Sequence, residues 1–298
     1  TEEVSFSNGD AVLKGTLTMP ADCDRKTPVL IMVTGSGLQN RDEELFGHKP
    51  FAVIADAFAR AGIATLRYDD RGFGESTGDV VLCTTEDLKN DALAGVKLLR
   101  SRFERVGVIG HSEGGTIALM LAGERQVDFA VSLAGMIVSG AETLLAQNRR
   151  AFESAGLPES EVEAFARLLS DTFTAIRTRA PLPSADNYDI TDTLRKNYAA
   201  ALPSFRTPYM EFFLGLDLSA SLSGITCPVM ALNGSKDTQV QCDRNIAVLK
   251  AGLPSNSSSV IRAEDGLNHL FQHCVTGEVS EYKNIEETFS PEVLSEMI

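Results

Sequence analysis

The chain has 298 residues, 43% of them hydrophobic, and a formal charge of −14, a size that suits one large α/β domain with an insertion or two smaller domains. That charge argues against a nucleic-acid binder, which needs clustered Lys and Arg, and against docking on an anionic membrane surface. No apolar stretch approaches the ~20 residues of a membrane-spanning helix, and the five cysteines (Cys23, Cys83, Cys227, Cys242, Cys274) form no CxxC pair, so metal-ligand spacing is absent.

In chain order, Val4–Phe6 and Ala11–Thr18 flank Asn8-Gly9-Asp10 and read as a β-hairpin. Pro28 leads into Val29–Val33, a continuous apolar run of the kind that fills a strand buried on both faces. Pro50–Ala61 has a helical pattern that stops at Gly62, and Ile63–Tyr68 is the next strand. Thr85–Arg102 is expected to be a long amphipathic helix with Thr85 as its N-cap. Val106–Ile109, Gly114–Ala122 and Phe129–Leu133 then read as strand, helix and strand. This alternation predicts a parallel sheet covered on both faces, with loop chemistry at the carboxyl ends of the strands.

Around Gly140 the rhythm breaks, and no strand-like run occurs before Leu216. Glu161–Arg179 carries Val162, Phe165, Leu169, Phe173 and Ile176 at helical spacing, and Pro158, Pro181, Pro183, Pro203 and Pro208 punctuate the segment. The sheet resumes with Val229–Leu232, a helix near Asp243–Ala251, and a last strand over Ser258–Ile261. The expected organisation is a core of residues 1–139 and 217–298, interrupted by a helical insertion, 140–216, that caps the strand ends.

"GHSEGG", residues 110–115, lies between a predicted strand and a predicted helix. There Gly110-x-Ser112-x-Gly114 matches a nucleophile elbow, in which glycines let the backbone turn sharply around a strained serine. On such an elbow the acid and base follow the nucleophile in the chain, so His48 and His111 are poor candidates. His269, in "DGLNHLF" after the last strand, is the expected base, with His273 as the alternative. Asp237, closing "PVMALNGSKD", is the expected acid that orients the imidazole, while Asp243 reads as a solvated turn residue. The oxyanion donors are expected to be the backbone N–H groups of Glu113 and of Ser36, or of Gly37, in "TGSG".

"TGSGLQNRDE", "YDDRGFGEST", "GHSEGG", "NGSKD" and "LNHLF" occur in that order. With them nearly the whole chain resembles the α/β-hydrolase fold family. Within it the chain looks like a bacterial serine-esterase branch of dienelactone-hydrolase-like and acyl-peptidase-like proteins. The resemblance implies a mostly parallel central sheet with helices on both faces and a helical cap. It also implies a serine carboxylesterase that forms an acyl-enzyme on a small-molecule ester, without metal or organic cofactor. A peptidase or amidase using the same triad, or a non-catalytic binding protein of this fold, are the rival readings. Many members of this branch are exported, and a first residue of Thr rather than Met points the same way, to a periplasmic or secreted protein. Where the family often has a histidine at the oxyanion loop, Thr34 stands here.

Asp69 and Arg71 are expected to brace loops, and Arg41 and Asp42 either to orient the oxyanion loop or to touch substrate. Phe205, Tyr209, Phe212 and Phe213, where the insertion ends, are candidates to wall an acyl pocket. Cys242 and Cys274 each follow a proposed triad residue by five positions, which makes them candidates for a disulfide.

Overall fold

Gly9 turns the chain with a φ of 59°, and Glu2–Asn8 (β1) and Ala11–Thr18 (β2) pair antiparallel around it in the computed structural model, which describes residues 1–255 and 258–298. Val29–Val33 (β3), Ala64–Tyr68 (β4), Val106–His111 (β5), Phe129–Leu133 (β6), Val229–Gly234 (β7) and Val260–Glu264 (β8) complete one eight-stranded sheet. The strand order is β1-β2-β4-β3-β5-β6-β7-β8, antiparallel through β1, β2 and β4 and parallel from β4 to β8. Every residue of β3 and β5 is buried, as strands covered on both faces require. By contrast β2 alternates buried and accessible positions.

Pro50–Arg60 (α1), Thr85–Arg100 (α2) and Glu113–Gly123 (α3) connect the parallel strands. The N-cap of α2 is Thr84 rather than Thr85, because Asp87 reaches back to the Thr84 backbone and hydroxyl in a capping box. Gly140–Ser154 (α4), Glu159–Thr178 (α5), Asp192–Phe205 (α6) and Pro208–Gly215 (α7) follow β6, with no strand among them. Their apolar faces share a separate core built on Phe165, Leu168, Leu169, Phe173, Leu194 and Leu214. Cys242–Gly252 (α8) and Pro291–Glu296 (α9) close the fold. Two further cores lie on the two faces of the sheet, one around Ile31, Leu66 and Val108, the other around Met32, Ile109 and Phe58.

β3 and β5 are neighbours, but the chain leaves β3 towards β4 on one side while β6 lies on the other side of β5. Their carboxyl ends therefore form a topological switch point, where loops diverge and leave a crevice. All five cysteines are free: Cys242 Sγ faces the Asn233 carbonyl and Cys274 Sγ the Gly266 carbonyl, so the thiols are turned to separate partners rather than to each other.

Candidate active site

Ser112 joins β5 to α3 with φ 54° and ψ −119°, a left-handed backbone that a serine keeps only when its surroundings impose it. Close packing explains the glycines around it. A Cβ on Gly110 would lie 2.0 Å from the Gly114 carbonyl oxygen, and one on Gly114 2.0 Å from that of Val33. The turn is also pinned by the Ser112 N–H, which donates to Leu133 O at 2.8 Å. Glu113 is the first residue of α3, so its N–H has no acceptor within the helix and lies at the positive end of the helix dipole.

The loop after β3 packs directly on the serine: a Cβ on Gly35 would lie 3.1 Å from Ser112 Cβ. Two buried carboxylates hold this loop. Glu43 Oε1 accepts the Gly35 N–H at 2.8 Å. Asp70 accepts the Thr34 hydroxyl at 2.8 Å and the Gln39 N–H at 2.8 Å. The stretch between them contains Ser36 and Gly37. Burial, chiefly, pushes the Asp70 carboxyl up to about 8, against the pull of its hydrogen bonds from Thr34 and Gln39 and with a further push from Glu43 and Glu113.

Asp237 and His269 come from the loops after β7 and β8. His269 Nδ1 lies 2.7 Å from Asp237 Oδ2. The carboxylate also accepts from Asn233 Nδ2 at 2.9 Å, Gln239 N at 2.8 Å and Val240 N at 2.9 Å, so it cannot swing away from the ring. Nε2 is left as the imidazole nitrogen available to the serine. His273 is turned outward and pairs with Glu287, its side chain 56% exposed, and Asp243 is also exposed. His48 is buried elsewhere, against Thr288 and the Tyr282 carbonyl.

Ser112 and His269 open into one cavity of about 370 Å³. Ser36, Tyr209, Met210 and Phe213 line it, together with Leu45, Phe46, Leu144, Val279 and Tyr282. The Tyr209 and Phe213 rings stack with centroids 5.7 Å apart, and Phe46 meets Tyr282 edge to face at 5.6 Å. Phe205 and Phe212 do not line this cavity. Phe205 ends α6 and packs on Phe173. Phe212 turns to a different groove with Thr84 and Arg179. Tyr209 and Phe213 are four apart and share a face of α7, whereas Phe212 is rotated from that face.

Arg41 and Asp42 brace rather than line the cavity: Arg41 binds Asp69 through Nε at 3.1 Å and Nη2 at 2.8 Å, and Asp42 pairs with Arg67. Arg71 likewise grips Asp91 with two bonds, of 2.9 and 2.7 Å. The carboxylates of Glu43, Asp70 and Glu113 brace the site without a local sequence signal that marks them. Glu113 accepts from Tyr209 Oη at 2.6 Å and from the Thr85 hydroxyl at 2.6 Å, tying α7 to the turn at Ser112. Burial, helped by the Glu113 charge, holds the Tyr209 phenol well above its ordinary range. No group of three or more His, Cys, Asp or Glu side chains is placed to hold a metal ion among the described residues.

A family described as serine aminopeptidase, S33, matches residues 49–270. The chain is 26% identical over 263 residues to esterase EstD of Thermotoga maritima, a match that takes in 87% of this chain but 58% of that protein. Among solved structures, ferulic acid-bound Est1E from Butyrivibrio proteoclasticus superposes with a TM-score of 0.57 at 19% identity, over 99% of this chain and 97% of that one. Proline iminopeptidase from Mycobacterium smegmatis gives 0.56 at 18% identity, over 89% of each chain.

Proposed function

This chain belongs to the serine aminopeptidase S33 family and has the α/β-hydrolase fold; from that premise we propose that it is a carboxylesterase that works through an acyl-enzyme on Ser112. Ser112 Oγ attacks the ester carbonyl while His269 takes its proton and returns it to the departing alcohol. Asp237 fixes the imidazole tautomer and stabilises the imidazolium. The N–H groups of Glu113 and Ser36 stabilise the tetrahedral oxyanion, and water then releases the acid. The helical segment 140–216 acts as the cap that selects substrate, through Tyr209 and Phe213.

The observation that carries an ester over a peptide is the cavity wall: among the described residues that line it there is no Asp, Glu, Lys or Arg. An aminopeptidase needs a carboxylate to hold the substrate ammonium, because burying an unpaired charge is costly. Here Glu43 and Asp237 are engaged behind the wall. Apolar and aromatic surface instead suits neutral esters with apolar acyl groups. The motifs that resemble the dienelactone-hydrolase-like and acyl-peptidase-like branch, and the likeness to an esterase, support the same reading. Rates on p-nitrophenyl acetate, butyrate and octanoate, set against aminoacyl p-nitroanilides, test it. Esters are expected to be the better substrates in kcat/KM. Faster turnover of the anilides would defeat the proposal in favour of a peptidase.

A further inference from the structure

His111 precedes the serine, is buried, and has an oxygen acceptor at each ring nitrogen: Glu43 Oε1 lies 2.9 Å from Nδ1 and the His269 carbonyl oxygen 2.8 Å from Nε2. A neutral imidazole has one N–H and one lone pair. Whichever nitrogen kept the proton, the other would turn its lone pair towards an oxygen. Only the imidazolium donates to both. The same Glu43 oxygen accepts the Gly35 N–H, so one carboxylate touches both the loop after β3 and the residue before the nucleophile.

We propose that Glu43 and His111 form a buried ion pair that positions the reacting groups, Glu43 holding the oxyanion loop and the His111 imidazolium holding the loop of the base, both against the strand that carries Ser112. The inference rests on the serine-esterase reading and assigns two positioning residues to it. The groups facing His111 are Glu43 from the loop after β3, Asp237 from the loop after β7 and His269 from the loop after β8; the last stacks on it at a tilt with ring centroids 4.7 Å apart. Burial alone would lower the His111 pKa, but the Glu43 charge and hydrogen bond, the His269 carbonyl and the more distant Asp237 together raise it above its ordinary value. Glu43 is itself held in a left-handed conformation, φ 51°, within the loop it braces.

Glu43→Gln keeps the shape and removes the charge. Without its counter-ion the imidazole becomes neutral, and one contact of the network is lost: an amide oxygen in the place of Oε1 leaves the Nε2 lone pair facing the His269 carbonyl, and an amide nitrogen there leaves the Gly35 N–H without its acceptor. A displacement of this kind at reacting groups lowers kcat on the order of 100-fold, while KM for p-nitrophenyl butyrate changes little, because Glu43 does not line the cavity. If Glu43 acts through His111, a Glu43→Gln/His111→Gln double variant loses about as much as the worse single variant, whereas independent effects would add. A spectroscopic readout separates positioning from mere folding. Nitrogen NMR of histidine-labelled wild-type protein is expected to show one histidine with both ring nitrogens protonated at a pH well above the ordinary imidazole value of about 6.5, and this signature disappears in Glu43→Gln. A neutral His111 in the wild type, near-normal kcat in Glu43→Gln, or additive losses would each overturn the proposal. The wild-type spectrum decides the ion pair even if the variant does not fold. Absence of ester turnover by the wild type would defeat the esterase reading instead.

Discussion

Asp70→Asn should make the protein less sensitive to pH without disabling it. Asp70 is 7% exposed, and its folded carboxyl is pushed up to about 8 from an ordinary 3.8, mainly by burial. Between those two values the folded state keeps a proton that the unfolded chain has released. Stability from this group is therefore greatest below the ordinary value and falls as pH rises, levelling off only above the folded value. The slope is about 1.4 kcal/mol per pH unit, so roughly 3 kcal/mol is lost between about pH 5 and about pH 7. Asp70 now accepts from the Thr34 hydroxyl and from the Gln39 N–H; the amide cannot ionise, yet its Oδ1 can keep the bond from Gln39 while its Nδ2 donates to the Thr34 oxygen, which reverses that bond without losing the partner. Urea unfolding of both proteins across this range measures the difference directly. The variant is expected to gain on the wild type as pH rises, and to retain ester hydrolysis because the oxyanion loop keeps its braces. Parallel stability curves would mean that Asp70 is ionised across this range in the folded as in the unfolded chain, the opposite of what its burial implies.

Asp237→Asn should lower kcat by about 10⁴-fold through loss of the imidazole tautomer, the magnitude reported for the equivalent change in a serine protease, while Asp243→Asn changes little; steady-state kinetics of the two variants checks the choice. His269→Ala should abolish turnover and His273→Ala should leave it near normal, because His273 pairs with Glu287 at the surface; the opposite pattern reassigns the base. Tyr209→Ala and Phe213→Ala should change the ratio of rates on octanoate and acetate esters, whereas Phe205→Ala and Phe212→Ala should change mainly stability. Equal selectivity in all four would show that α7 does not shape the pocket.

The sheet and the core of the site were readable in the sequence because their chemistry restricts the residues allowed. Gly110 and Gly114 must be glycine where backbone atoms come within 2.0 Å of a Cβ position, and such a pair around a serine, between an apolar strand and a helix, leaves few readings. Asp237 and His269 followed from strand ends, which a period of apolar runs marks well. Glu43 and His111 left no comparable trace. Nothing in local pattern brings positions 43, 111 and 269 together, since their contact arises only when β3, β5 and the loop after β8 meet at one edge of the sheet. The lining of the cavity was half readable for a similar reason. An aromatic-rich stretch signals burial, but which ring faces the cavity depends on where α7 starts, and Thr207 and Pro208 set that start. Thr84 and Thr85 show the same limit at α2: either threonine can cap, and the side chain of Asp87 decides.

The proposed acyl-enzyme mechanism requires that Ser112 be a nucleophile activated in place. Treatment of the folded protein with a fluorophosphonate, followed by peptide mass spectrometry, locates that nucleophile. One adduct is expected, on Ser112, formed with loss of ester hydrolysis and absent from Ser112→Ala. Folded protein that takes up no reagent, or takes it up at another residue while hydrolysis continues, would contradict that mechanism.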